Sequence, residues 1–124
     1  MKKKLYALRG AVRCENNETD ICNQVAQMYD ALLSNNNLTD LEEDIVSVIF
    51  SVTPDLNAIN PCTALRKSGR AGADTVLFSA QEPVVVNSLD RVVRVIVHCY
   101  LEVGAKARHV YINGAEVLRP DRAG

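Results

Sequence analysis

Four arginines stand where a solvated surface residue is not the obvious reading: Arg9 inside an alternating strand, Arg66 in a short helix, Arg94 in the middle of "DRVVRVIVHCY", and Arg119 in "VLRPD". A guanidinium keeps its proton, so burying it without a partner is costly. Its planar fork grips a carboxylate or phosphate with two parallel hydrogen bonds. A single strand arginine ordinarily faces solvent or pairs with an acid. Four of them on one small chain of net charge −1 point instead to an anionic ligand with more than one acidic group.

Other chemistries find less support. Glu82 in "SAQEP" reads by itself as a loop acid, and Tyr111 in "HVYIN" as a core or rim tyrosine on an alternating strand. Ser79 has no base at a telling position and none of the glycines of a nucleophile elbow. The sequence has no phosphate loop, dinucleotide fingerprint or metal-ligand cluster, so no cofactor and no metal are expected. Cys14, Cys22, Cys62 and Cys99 are scattered without a C-x-x-C pair and read as reduced thiols of a cytoplasmic protein.

The elements that position these residues follow from periodicity. "KLYALRGAVRC" alternates as a first strand, with Leu5, Ala7, Arg9 and Ala11 on one face. "NNETD" supplies capping residues, and Ile21, Val25, Met28, Leu32 and Leu33 recur at helical spacing until "SNNN". "IVSVIFSV" is nearly continuous apolar sequence and is expected to be buried on both faces. Asn60 and Pro61 read as N-cap and first residue of a helix through "CTALRKS", with Gly69 as its stop. "DTVLFSA", "LDRVVRVIVHCYLE" and "ARHVYIN" are three further strands. Arg94 shares its face of the long strand with Val92 and Ile96.

The order β-α-β-α-β-β-β predicts one α+β domain over residues 1–124, a mixed sheet with helices on one face. Two helices leave the other face open and partly apolar, so oligomerisation is expected. Composition is that of a globular protein, 48% hydrophobic and 23% charged. No basic field points to nucleic acid, and no apolar run approaches the roughly 18 residues of a membrane span.

The segments "LRGA", "SVTPDLNA", "QEP", "VVRVIV" and above all "RHVYINGAEVLRPD" resemble, in order and spacing from Leu8 to Asp121, the monofunctional AroH-class chorismate mutases. The resemblance implies a homotrimer whose sheets pack as a pseudo α/β-barrel, with active sites in clefts between subunits. It implies conversion of chorismate to prephenate, an intramolecular rearrangement in phenylalanine and tyrosine biosynthesis that needs neither nucleophile nor metal. By matched position, Arg94 is the cation at the ether oxygen, and Glu82 the acid at the opposite end of the substrate, on the ring hydroxyl. Arg9 grips the side-chain carboxylate and Tyr111 bonds the same region. Phe78, Ser79, Ala80 and Gln81 line the pocket from a strand end, while Arg66, Leu118 and Arg119 lie near its mouth. Ser79 stands where a relative has Cys, and Asn60 where it has Phe. The chain ends soon after Arg119, implying a short C-terminal cover. The alternatives are a trimeric enamine or imine hydrolase of the same architecture, or a metabolite-binding trimer without turnover.

Overall fold

The computed structural model describes residues 2–120; Met1 and the Asp121 end of "VLRPD" lie outside the described residues. Its elements run β1 (Lys3–Arg13), α1 (Glu18–Asn35), β2 (Ile45–Val52), α2 (Pro61–Lys67), β3 (Val76–Gln81), β4 (Val92–Glu102) and β5 (Val110–Ile112), closing with a 3₁₀ turn over Ala115–Leu118. The strands form one mixed sheet in the order β3-β2-β4-β1-β5. The long central strand β4 runs antiparallel to both β1 and β2, while β3 and β5 add to the edges in parallel.

Local sequence explains the element ends. Asn17 caps α1, its side chain accepting from the Asp20 backbone N–H at 2.7 Å. Asn60 caps α2 the same way, accepting from Cys62 N at 2.8 Å, and Pro61 follows in the first turn. Gly69 lies just beyond α2 with φ +72, the left-handed stop anticipated for it.

Both helices lie on the same side of the sheet. Leu8 and Val12 of β1, Val48 and Phe50 of β2, and Val93, Val95 and Val97 of β4 meet Ile21, Val25, Met28, Tyr29 and Leu32 of α1 and Leu65 of α2 in the principal core. Gly10 is the close-approach point: a Cβ there would sit 3.0 Å from Val95 Cγ1 and 3.2 Å from both Leu32 Cδ1 and Met28 Sδ. "LRGA" thus alternates between a side chain aimed away from the helix and a gap that lets the helix in. A smaller cluster of Ala11, Val92, Tyr111 and Ala115, joined by Leu89 and Leu118, covers one end of the opposite face.

Two expectations need correction. "IVSVIFSV" is buried on one face only: Val48 and Phe50 are in the core, whereas Ile49 and Val46 are exposed. Neither α1 nor α2 covers the side from which Ile49 projects; the 3₁₀ turn packs on one end of that side only. The last strand is also shorter than "ARHVYIN". Arg108 exchanges its backbone N–H and C=O with the Asn36 side chain at 2.8 and 2.9 Å, and His109 Nδ1 accepts the Arg9 N–H at 3.0 Å. Side chains there satisfy backbone groups that a longer ladder would have paired. Among the described residues, no helix is long and apolar enough to cross a membrane.

Candidate active site

The open face of the sheet carries its polar groups at one end. Pairing register sets them in rows: Phe78, Ile49, Ile96 and Arg9 lie across one level, and Ala80, Ser51, Arg94 and Ala11 across the next, with Tyr111 beside Ala11. Over these rows lies a cavity of ≈390 Å³, its far side built by Leu118 and Arg119. The turn at Asn113 and Gly114, with φ 52 and 95, brings that segment back over β1. It is fastened by Asn113 Nδ2 donating to Arg13 O at 2.6 Å and by Gly114 N donating to Glu116 Oε1 at 2.7 Å.

Arg94 enters the cavity from β4. The start of that strand is held by the "TPD" segment: Thr53 N donates to Val92 O at 3.1 Å, and Val92 N to Thr53 Oγ1 at 2.9 Å. Asp55 accepts from the N–H of Arg91, which turns the chain with φ 53. Motif residues far from the cavity therefore fix where Arg94 stands. Its Nε is buried and lies 3.4 Å from Glu82 Oε1, within ion-pair reach but without the alignment of a hydrogen bond. The side chain as a whole is 43% exposed, so the rest of the guanidinium opens into the cavity.

Glu82 follows β3 and is pinned by its N–H donating to Val52 O at 2.7 Å. Its Oε1 also accepts a hydrogen bond from Ser51 Oγ. The carboxylate is thus on Arg94 itself. Within one chain it does not face Arg94 across a substrate-sized gap, because its strand ends only two sheet positions away. Arg9, Arg94 and Arg119 bring three guanidinium groups to one cavity, a set suited to a ligand with two acidic groups.

The sequence-derived site residues divide into two sets. Arg9, Ala80, Arg94, Tyr111, Leu118 and Arg119 line the cavity, with Glu82 behind Arg94. Arg66, Phe78, Ser79 and Gln81 do not line the cavity of their own chain. Phe78 shares the open face but lies on the edge strand, 60% exposed. Ser79 and Gln81 alternate to the other side of β3 and border a separate groove with Asn60, Pro61 and Leu56. Arg66 is exposed on α2. In that groove Ser79 Oγ donates to Asn60 Oδ1 at 3.1 Å, so these two residues are partners. Burial pushes the neighbouring Cys62 thiol up, opposed by a hydrogen bond with Ser79 and the charge of Arg66.

Ser51, Ile49 and His109 escaped the sequence reading. The first had a visible signal: a hydroxyl interrupting an apolar strand at the register of Arg94. His109 had none, since its part is to end a ladder.

A family profile described as chorismate mutase type I matches residues 5–122. The chain is 32% identical over 120 residues to the chorismate mutase AroH of Bacillus subtilis (strain 168), covering 94% of this chain and 91% of that one. It is 34% identical over 116 residues to the chorismate mutase AroH of Thermus thermophilus, covering 92% and 93%. Among solved structures, a chorismate mutase from Clostridium thermocellum superposes with a TM-score of 0.79 at 34% identity, covering 90% of this chain and 98% of that one.

Proposed function

The chain belongs to the type I chorismate mutase family and is an isomerase that converts chorismate to prephenate, and we propose that it does so in clefts between the subunits of a homotrimer, with Arg94 as the cation at the ether oxygen. The rearrangement is intramolecular: one C–O bond breaks as one C–C bond forms, and no proton has to move. The protein's contribution is therefore orientation of the side chain over the ring and stabilisation of charge developing on the ether oxygen.

Each task has residues suited to it. Arg94 brings a guanidinium that is buried at Nε and open beyond it. The apolar Ile49 and Ile96 flank it on the same face and, covered by a neighbouring subunit, would exclude water and strengthen its field. Arg9 and Tyr111, neighbours through the pairing of β1 with β5, take the side-chain carboxylate. Leu118 and Arg119 narrow the mouth. Glu82 has one oxygen engaged by Ser51 and Arg94; its other oxygen has no hydrogen bond among the described residues and accepts from the ring hydroxyl.

The observation that carries the subunit-shared site is the division of its residues. The cavity is open on one side, while Phe78, Ser79 and Gln81 of the edge strand β3 and Arg66 of α2 beside it all lie outside it. The same open face exposes Leu5, Ile49, Phe78, Ile96 and Tyr100, apolar surface that a neighbouring subunit would cover. A neighbour's β3 edge closing the cavity serves both needs at once.

Subunit mixing tests this. Arg94→Ala and Arg66→Ala are each expected to form trimers of low turnover, followed as the ultraviolet absorbance of chorismate disappears. Trimers refolded from the two together should regain turnover, because some clefts then combine an intact half from each chain. Mixed trimers with no more activity than their parents would place both residues on one side and sink the shared cleft.

A further inference from the structure

We infer that Ser51 is a positioning residue that holds the Glu82 carboxylate at a fixed standoff from Arg94, so that the guanidinium stays available to substrate. The inference rests on the reading of Glu82 and Arg94 given above and adds a third member to them.

Three observations meet on one oxygen. Ser51 lies directly opposite Arg94 in the β2–β4 register and opposite Ala80 in the β2–β3 register, so its side chain stands on the open face between them. Its hydroxyl donates to Glu82 Oε1 and lines the cavity. That same Oε1 is the atom 3.4 Å from Arg94 Nε, and Nε is buried without an aligned acceptor.

The arrangement is unusual because a better one is close by. A carboxylate beside an arginine ordinarily closes to a short, aligned and often two-pronged contact. Here the backbone of Glu82 is fixed by its hydrogen bond to Val52 O, but its side-chain torsions are not. A small rotation would bring the carboxylate onto Nε and the adjacent nitrogen, occupying donors and neutralising the charge that the transition state requires. The hydroxyl of Ser51 opposes that rotation by holding Oε1 from its place between the two strands. It keeps the negative charge near enough to balance the guanidinium and too poorly aligned to saturate it. A buried donor left unmatched in the free protein is costly, which is why a second group has to enforce it.

Removing the hydroxyl should act on the transition state more than on binding. For Ser51→Ala, kcat is expected to fall about 10- to 100-fold, the range for a lost hydrogen bond to a charged group, with KM changing much less. Ser51→Thr keeps the oxygen on a strand-compatible side chain and should restore kcat to near the parent value. Glu82→Gln removes the charge being held, so it should lower kcat by itself, and adding Ser51→Ala to it should cost little more. Light scattering and thermal unfolding accompany each variant to establish that trimer and fold persist. If Glu82→Gln turns over chorismate normally, the reading of Glu82 fails and the inference falls with it. If Glu82→Gln is impaired but Ser51→Ala is not, the inference alone is overturned. Equal losses in Ser51→Ala and Ser51→Thr, or full additivity with Glu82→Gln, would likewise overturn it, since packing rather than the hydroxyl would then be responsible.

Discussion

Phe50 and Phe78 are the chain's two phenylalanines, and they lie on opposite faces of one sheet, on neighbouring strands. Phe50 is fully buried beneath the helices, and Phe78 is 60% exposed on the open side. One face is finished within the chain: two capped helices, a glycine gap for close approach and a continuous apolar core. The other is unfinished, with apolar residues in the open beside a cavity lined by arginines. An identical residue type therefore serves folding on one side and is left uncovered by its own chain on the other. Burial, not residue identity, divides what holds the fold together from what makes it work.

Deleting each ring in turn tests that division most strongly. Phe50→Ala should lower the unfolding free energy by about 3–5 kcal/mol, the cost of emptying a buried aromatic site, as measured by urea denaturation. Phe78→Ala should leave the subunit folded, with native far-ultraviolet circular dichroism, but weaken the trimer in sedimentation and lower turnover on dilution. A Phe78→Ala subunit that unfolds as readily as Phe50→Ala would erase the distinction between the faces.

Arg94→Lys sharpens the comparison from the other side. It preserves charge and reach on the open face but removes the planar fork. Turnover is expected to fall at least about 100-fold, which corresponds to about 2.7 kcal/mol of transition-state stabilisation, with melting temperature and trimer mass unchanged. Near-parental turnover would mean that a point charge suffices there, and the assignment of Arg94 to the ether oxygen would be lost.

The finished face was the more legible in the sequence. Helix stripes, the Asn17 and Asn60 caps and the Gly69 stop are local signals, and each lies where periodicity placed it. The misreading of "IVSVIFSV" has a physical origin: an apolar residue left on an open sheet face looks the same in sequence as one buried by its own chain. The candidate site residues were legible as types, four arginines without an evident role, but not as a constellation. Their meeting depends on strand order β3-β2-β4-β1-β5, which no spacing encodes. Arg9 and Arg94 come together because β1 and β4 are neighbours, whereas Gln81 stays apart because it alternates to the other face of β3, and Arg66 because it lies on α2. The pairing of Asn60 with Ser79 was invisible for a simpler reason: nineteen positions separate them, and only the packing of α2 beside β3 joins them.

Asn60 gives the smallest expected effect and the finest division, because it belongs to both faces' business. It caps α2, a structural task, and it accepts from Ser79 in the groove that a neighbouring cavity would adjoin. Asn60→Ala removes both contacts and should destabilise the subunit by about 1 kcal/mol, the usual worth of an N-cap, without separating the two tasks. Asn60→Asp does separate them. A carboxylate caps as well as an amide and suits the positive end of a helix, so thermal stability should be kept. If the groove completes a neighbour's active site, however, the added negative charge would face a dianionic substrate, and KM for chorismate should rise while kcat and melting temperature hold. An unchanged KM in a stable, trimeric Asn60→Asp protein would assign Asn60 to the finished face alone and move the substrate away from the β3 edge.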